Sequence, residues 1–100
     1  ALDAVRRSGG AIGDVSDAEV TEGIRLLAET EGIFAETAGG VTVAVLRQLL
    51  ASGAADPAAE TVLLNTGHGL KTLDAVLGHV GPTATIDADV DEVTRVLTTP

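Results

Sequence analysis

Cysteine is absent from the 100-residue chain, which excludes a disulfide framework and any thiolate metal site. That absence fits a cytoplasmic protein. Tryptophan, tyrosine and methionine are missing as well, and Phe34 is the lone aromatic residue. A core without bulky rings has to come from Val, Leu and Ile with close backbone packing. Positive charge is scarce: six Lys and Arg stand against fifteen Asp and Glu, a formal net charge of −9. Such a surface repels nucleic acid and anionic membranes, and no cluster of Lys or Arg interrupts it. No stretch approaches the roughly 18 apolar residues of a membrane span. A secretory signal pattern is lacking too.

What is present is small. The apolar fraction is 45%, but sixteen of those residues are Ala, and Gly adds 12 more small residues. This composition suits helices pressed against a sheet in a large α/β protein better than an independent small domain. The whole of 1–100 reads as one segment of such a protein. Its opening, Ala1-Leu2-Asp3-Ala4-Val5-Arg6-Arg7-Ser8-Gly9-Gly10, has the form of a helix end. Two arginines sit where a C-terminus favours positive charge, and glycines follow where a left-handed cap falls. Without an initiator Met, the natural chain is expected to begin upstream; processing is the plain alternative.

Residues 11–15 form a short apolar stretch, expected as a strand. Ser16-Asp17-Ala18-Glu19 is a capping box that opens a helix with Val20, Ile24, Leu27 and Ala28 on one face. Glu22, Arg25 and Glu29 face solvent, and Gly32 ends it. A second helix is expected from Thr37-Ala38-Gly39-Gly40 to about Ser52, with Gly53 as its stop. Its residues Val41, Val43, Ala44, Val45, Leu46, Leu49 and Leu50 make it apolar on nearly every side, the mark of a helix buried in a sizeable protein. Residues 54–59 form a loop. Thr61-Val62-Leu63-Leu64 has the pattern of a strand covered on both faces in a parallel sheet. Leu70 to about Leu77 is a short helix or turn, 83–86 an edge strand, and Asp87 to Leu97 a last helix.

In open α/β sheets, ligands bind beyond the carboxyl ends of the strands. That places the best candidate site directly after 61–64, at Asn65-Thr66-Gly67-His68-Gly69. The glycines admit close approach, and Asn65, Thr66 and His68 supply polar groups. A glycine turn joining strand to helix accounts for the same residues. Other candidates are weaker. His79 has no spaced partner for a metal. Asp87, Asp89, Asp91 and Glu92 lack the glycine and terminal glutamate of a calcium loop, and suit a solvated helix N-terminus. Glycines opening the second helix can bind an anion, yet Glu36 beside them discourages a phosphate.

The order "EGIFAETAGGVTVAVLRQL", spacer, "TVLLNTGHGLKTLDAV" resembles the C-terminal part of threonine synthases, over roughly residues 8–86. These are pyridoxal-phosphate enzymes of the tryptophan-synthase-β type (fold type II). Asn65-Thr66-Gly67-His68-Gly69-Leu70-Lys71 is close to that family's "TGxGLK" signature. The resemblance implies a mostly parallel sheet with flanking helices and a cofactor-contact set of Asn65, Thr66, Gly67 and Gly69. It places the Thr66 hydroxyl near the pyridine nitrogen of pyridoxal phosphate, where a hydroxyl donates to a neutral ring and leaves a weaker electron sink. Gly67 and Gly69 then let the loop pass beneath the ring, with His68 as a neighbour. Lys71 is expected to start a helix or anchor the loop.

In that family the Schiff-base lysine and the glycine-rich phosphate cradle lie upstream. The resemblance therefore implies no catalytic residue here and no activity of the chain alone; the residues themselves offer no metal site. A proline usually follows the family's glutamate; here Thr37 stands there, a candidate N-cap, and Glu36 is expected to be structural or part of a pocket wall. The implied parent reaction is that of a lyase in amino-acid biosynthesis, converting the phosphate ester O-phospho-L-homoserine and water into L-threonine and phosphate. The remainder of the enzyme would be the partner, with a homodimer as one option. A sister enzyme, threonine dehydratase or cysteine synthase, and a freestanding non-catalytic α/β module are the alternatives.

Overall fold

A computed structural model describes residues 1–82 and 84–98. Its elements are α1 (Leu2–Ser8), α2 (Asp17–Glu31), α3 (Thr37–Ala51), a 3-10 helix over Gly69–Ala75, and α4 (Val90–Thr98). α1 stops at Gly9, whose φ of 69° is the left-handed cap expected there. The capping box of α2 forms as read. The Ser16 N–H donates to Glu19 Oε2 at 2.7 Å, and the Glu19 N–H returns to Ser16 Oγ at 3.4 Å. Around α2, Arg25 pairs with Glu22 and Glu29 in solvent. α4 begins where Asp89 accepts from the N–H groups of Asp91 and Glu92, so its acidic start is a cap.

α2 and α3 pack through small residues, as a chain so poor in bulky side chains requires. Gly23 of α2 lies against the Gly40 carbonyl of α3, and a Cβ added at Gly40 would sit 2.5 Å from Val20 O. Backbone therefore meets backbone at the crossing. Val20, Ile24 and Val76 form the core, with Val15 and Phe34 packed on it. α3 buries Gly39, Gly40, Val43 and Ala44 toward this contact. Val41 and Leu50 remain open, apolar surface of the kind the sequence assigns to burial in a larger protein.

The mostly parallel sheet does not form among the described residues. Pairing is confined to two isolated bridges, antiparallel Ala35 to His68 and parallel Leu77 to Val80. Residues 11–15 run without a ladder, tied to α3 where Gln48 Nε2 donates to Asp14 O. Residues 61–64 form no ladder, with Val62 79% and Leu64 71% exposed. A parallel strand forms only against a second strand, and no bridge to 61–64 occurs among the described residues. The expected edge strand 83–86 falls partly on Thr83, outside the described residues; 84–86 carry no strand.

Candidate functional site

The two motifs singled out in the sequence meet in space. Residues 34–36 and 67–69 face each other antiparallel, and two backbone bonds join them. The Glu36 N–H donates to Gly67 O at 3.0 Å, and the Gly69 N–H donates to Phe34 O at 2.9 Å. Both glycines are needed at close quarters, because side chains from the opposite segment occupy the space where a Cβ would stand. At Gly67 that space holds the Glu36 carboxylate, and at Gly69 the Phe34 ring. The Phe34 ring also meets His68 edge-on, with centroids 5.6 Å apart.

Glu36 is the centre of the arrangement. It is 7% exposed, the one charged residue buried among those described. As N-cap of α3 it makes no side-chain bond to the helix. Its carboxylate turns instead to the opposing loop. Lys71 Nζ reaches Glu36 Oε2 at 2.6 Å, and the Thr66 hydroxyl donates to Glu36 Oε1 at 3.1 Å. The Lys71 ammonium holds the Glu36 carboxyl below the ordinary carboxylate range. Desolvation opposes that shift, and the Thr66 hydroxyl adds to it. Glu36 is therefore an ionised acceptor.

The expected site residues fall around this pair. Thr66 is exposed, with its hydroxyl on Glu36. Asn65 lies across the start of α3, and a Cβ at Gly39 would come within 2.6 Å of its Oδ1. His68 Nδ1 accepts from the Leu70 N–H and so opens the 3-10 turn. Lys71, the only lysine in the chain, anchors the loop through Glu36. Thr37 is not the N-cap of α3. That position belongs to Glu36, and the Thr37 N–H donates to Thr72 Oγ1 at 3.0 Å. Sequence reasoning missed Thr72. Its φ of −133° breaks the 3-10 helix and turns its hydroxyl inward, and nothing in the local sequence announces that kink.

Elsewhere the molecule offers less. One open cleft beside α2 is lined by Glu19, Glu22, Ala44, Arg47, Gln48 and Ala51, and a second includes His79; neither contains a residue of 65–71. No group of His, Asp and Glu suited to a metal ion occurs among the described residues. No helix there is long and apolar enough to cross a membrane.

Known proteins resemble this chain in sequence. The family described as pyridoxal-phosphate dependent enzyme matches residues 1–67. Threonine synthase of Methanocaldococcus jannaschii is 40% identical over 97 residues, which covers 97% of this chain and 24% of that protein. Threonine synthase of Halalkalibacterium halodurans is 41% identical over 71 residues, 71% of this chain and 20% of the relative. Threonine synthase of Methanosarcina acetivorans is 36% identical over 93 residues, 93% of this chain and 23% of the relative. The chain thus spans under a quarter of the length of these relatives.

Proposed function

Because the chain belongs to the family of pyridoxal-phosphate dependent enzymes, we propose that it works as the part of a threonine synthase that holds the ring-nitrogen end of the cofactor. Membership makes pyridoxal phosphate the cofactor of the complete enzyme. The observation that carries the proposal is the junction of 34–36 with 66–71. It presents Thr66, an exposed residue, on a loop fastened by two backbone bonds and the Glu36–Lys71 pair.

The residues present fit one end of the cofactor. Thr66 offers a hydroxyl, able both to donate and to accept, to the ring nitrogen, and Asn65 adds a carboxamide beside it. When bound, pyridoxal phosphate supplies an electron sink for carbanion chemistry. The chain's single lysine is engaged with Glu36, so the Schiff-base lysine and the phosphate cradle are assigned to the rest of the enzyme. Segments 11–15 and 61–64 then pair with strands from that remainder to complete a mostly parallel sheet. The chain alone is inactive, and the complete protein is a cytoplasmic enzyme.

The substrate in this proposal is O-phospho-L-homoserine, converted with water into L-threonine and phosphate. The similarity to three threonine synthases favours it over a sister dehydratase or synthase. The test is an assay of the full-length, cofactor-loaded protein for threonine and inorganic phosphate. Stoichiometric release of both is expected. Release of ammonia and a 2-oxo acid from threonine, with no phosphate from phosphohomoserine, would move the protein to the dehydratases.

A further inference from the structure

The two oxygens of the Glu36 carboxylate are divided between two donors. Oε2 takes Lys71 Nζ at 2.6 Å, and Oε1 takes the Thr66 hydroxyl at 3.1 Å. The Glu36 side chain is only 9% exposed, and the Gly67 backbone closes over it where a Cβ would collide. A carboxylate so shielded from water relies on the ammonium to balance its charge. The Thr66 hydroxyl carries one proton and two lone pairs. With a ring nitrogen on Thr66, that proton has two claimants, the nitrogen and Glu36 Oε1. An ionised acceptor makes the stronger bond, roughly twice a neutral one, so an unbalanced carboxylate would keep the proton and leave a lone pair facing the ring. Its negative charge, one hydroxyl away, would also favour a protonated nitrogen. Both effects run against the neutral ring that the sequence resemblance implies.

Resting on the proposed contact of Thr66 with the cofactor ring, we propose that Lys71 is a positioning residue that keeps the ring nitrogen neutral by neutralising Glu36. The buried carboxylate fastens the Thr66 loop, and the ammonium on its other oxygen cancels the charge that fastening brings to the site. Thr66 is thereby released to direct its proton to the nitrogen. The chain's only lysine acts on the cofactor through Glu36 and Thr66, from a side chain that is itself 64% exposed. Anchoring the loop is then half of its task, and setting the charge beside the ring is the other half.

The experiment is nitrogen-15 magnetic resonance of the full-length enzyme loaded with pyridoxal phosphate labelled at the ring nitrogen. The native signal is expected downfield, on the neutral-pyridine side. Lys71→Gln should move it upfield, the protonated form gaining roughly tenfold over the neutral one at a given pH. Glu36→Gln should leave it on the neutral side, and Glu36→Gln added to Lys71→Gln should bring it back there. Lys71→Arg, which keeps the positive charge, should hold the native position. A lysine that only anchored the loop would not be rescued by removing its own partner. A native signal on the pyridinium side would overturn the proposal. So would a Lys71→Gln signal that stays at the native position, or one that Glu36→Gln fails to correct. Thr66→Val should move the native signal further downfield, since a neutral nitrogen loses its donor. Indifference to Thr66→Val would instead remove Thr66 from the ring, and with it the proposed site. If Glu36→Gln fails to fold, the contrast of Lys71→Gln with Lys71→Arg decides.

Discussion

At the scale of single residues, the site turns on Thr66 and Glu36. On the proposed contact, replacing Thr66 by Ala in the complete enzyme should remove one hydrogen bond to the cofactor, about 0.5–1.5 kcal/mol. Cofactor affinity should fall by up to roughly tenfold, measured by equilibrium dialysis; an unchanged affinity and spectrum would exclude Thr66 from the site. Glu36 gives a pH dependence whose sign follows from its lowered pKa. A depressed folded value means the stabilisation is present above the unfolded value of about 4.3 and fades as pH falls through the folded one. The Gly69 amide, bonded to Phe34 O, should therefore lose exchange protection on acidification below that range, and Glu36→Gln should abolish the dependence. Glu19 is also lowered, chiefly by the Ser16 backbone N–H, so the readout has to be this amide and not global unfolding. The sequence marked both motifs and pointed to Lys71 as an anchor, because glycines and a single lysine are local signals. It left Glu36 among several roles. Choosing between them depended on a partner thirty residues away, and no local pattern encodes that distance.

At the scale of elements, caps and stops were legible and pairing was not. The Ser16–Glu19 box, Gly9 and Gly32 ended helices where they stood in the sequence, since each acts within one turn. Thr37 was misplaced by one position because the absent proline left the entry to α3 undetermined, and the opposing Thr72 settled it. The strands at 11–15 and 61–64 were read from apolar runs, but a strand is defined by its neighbours, and no bridge to either segment forms among the described residues. The α2–α3 crossing was legible only as a surplus of small residues. Its test is Gly23→Ala in the complete enzyme. The added Cβ meets the Gly40 carbonyl oxygen, and overpacking of this kind is worth about 1–3 kcal/mol. A urea midpoint lowered with unchanged slope is expected; an unchanged midpoint would show that the helices part without strain.

At the scale of the whole molecule, the chain is extended. Its radius of gyration is 18.0 Å, against about 13 Å for a compact domain of this length. Apolar side chains stand open along 61–64 and at Leu70 and Leu97. The isolated chain is expected to bind a hydrophobic dye and to self-associate in the ultracentrifuge. A dye-silent monomer would support the freestanding module instead. The row at 61–64 carries more of this exposure than α3, where Val41 and Leu50 are 38% and 37% exposed.

The junction at 34–36 and 67–69 also divides the molecule by what evolution can alter. It closes a loop that leaves through α3 and returns along the exposed connection at 52–64. Closure entropy grows only with the logarithm of loop length, and doubling that length adds about 0.6 kcal/mol. Insertions at 53–60 should thus be nearly neutral, making this connection a natural place for lineages to diverge in length. One residue gained or lost at 35–36 or 67–68 would rotate every facing side chain to the opposite side, parting Glu36 from Thr66. Length is negotiable at the far end of the loop, and register is not negotiable at its neck.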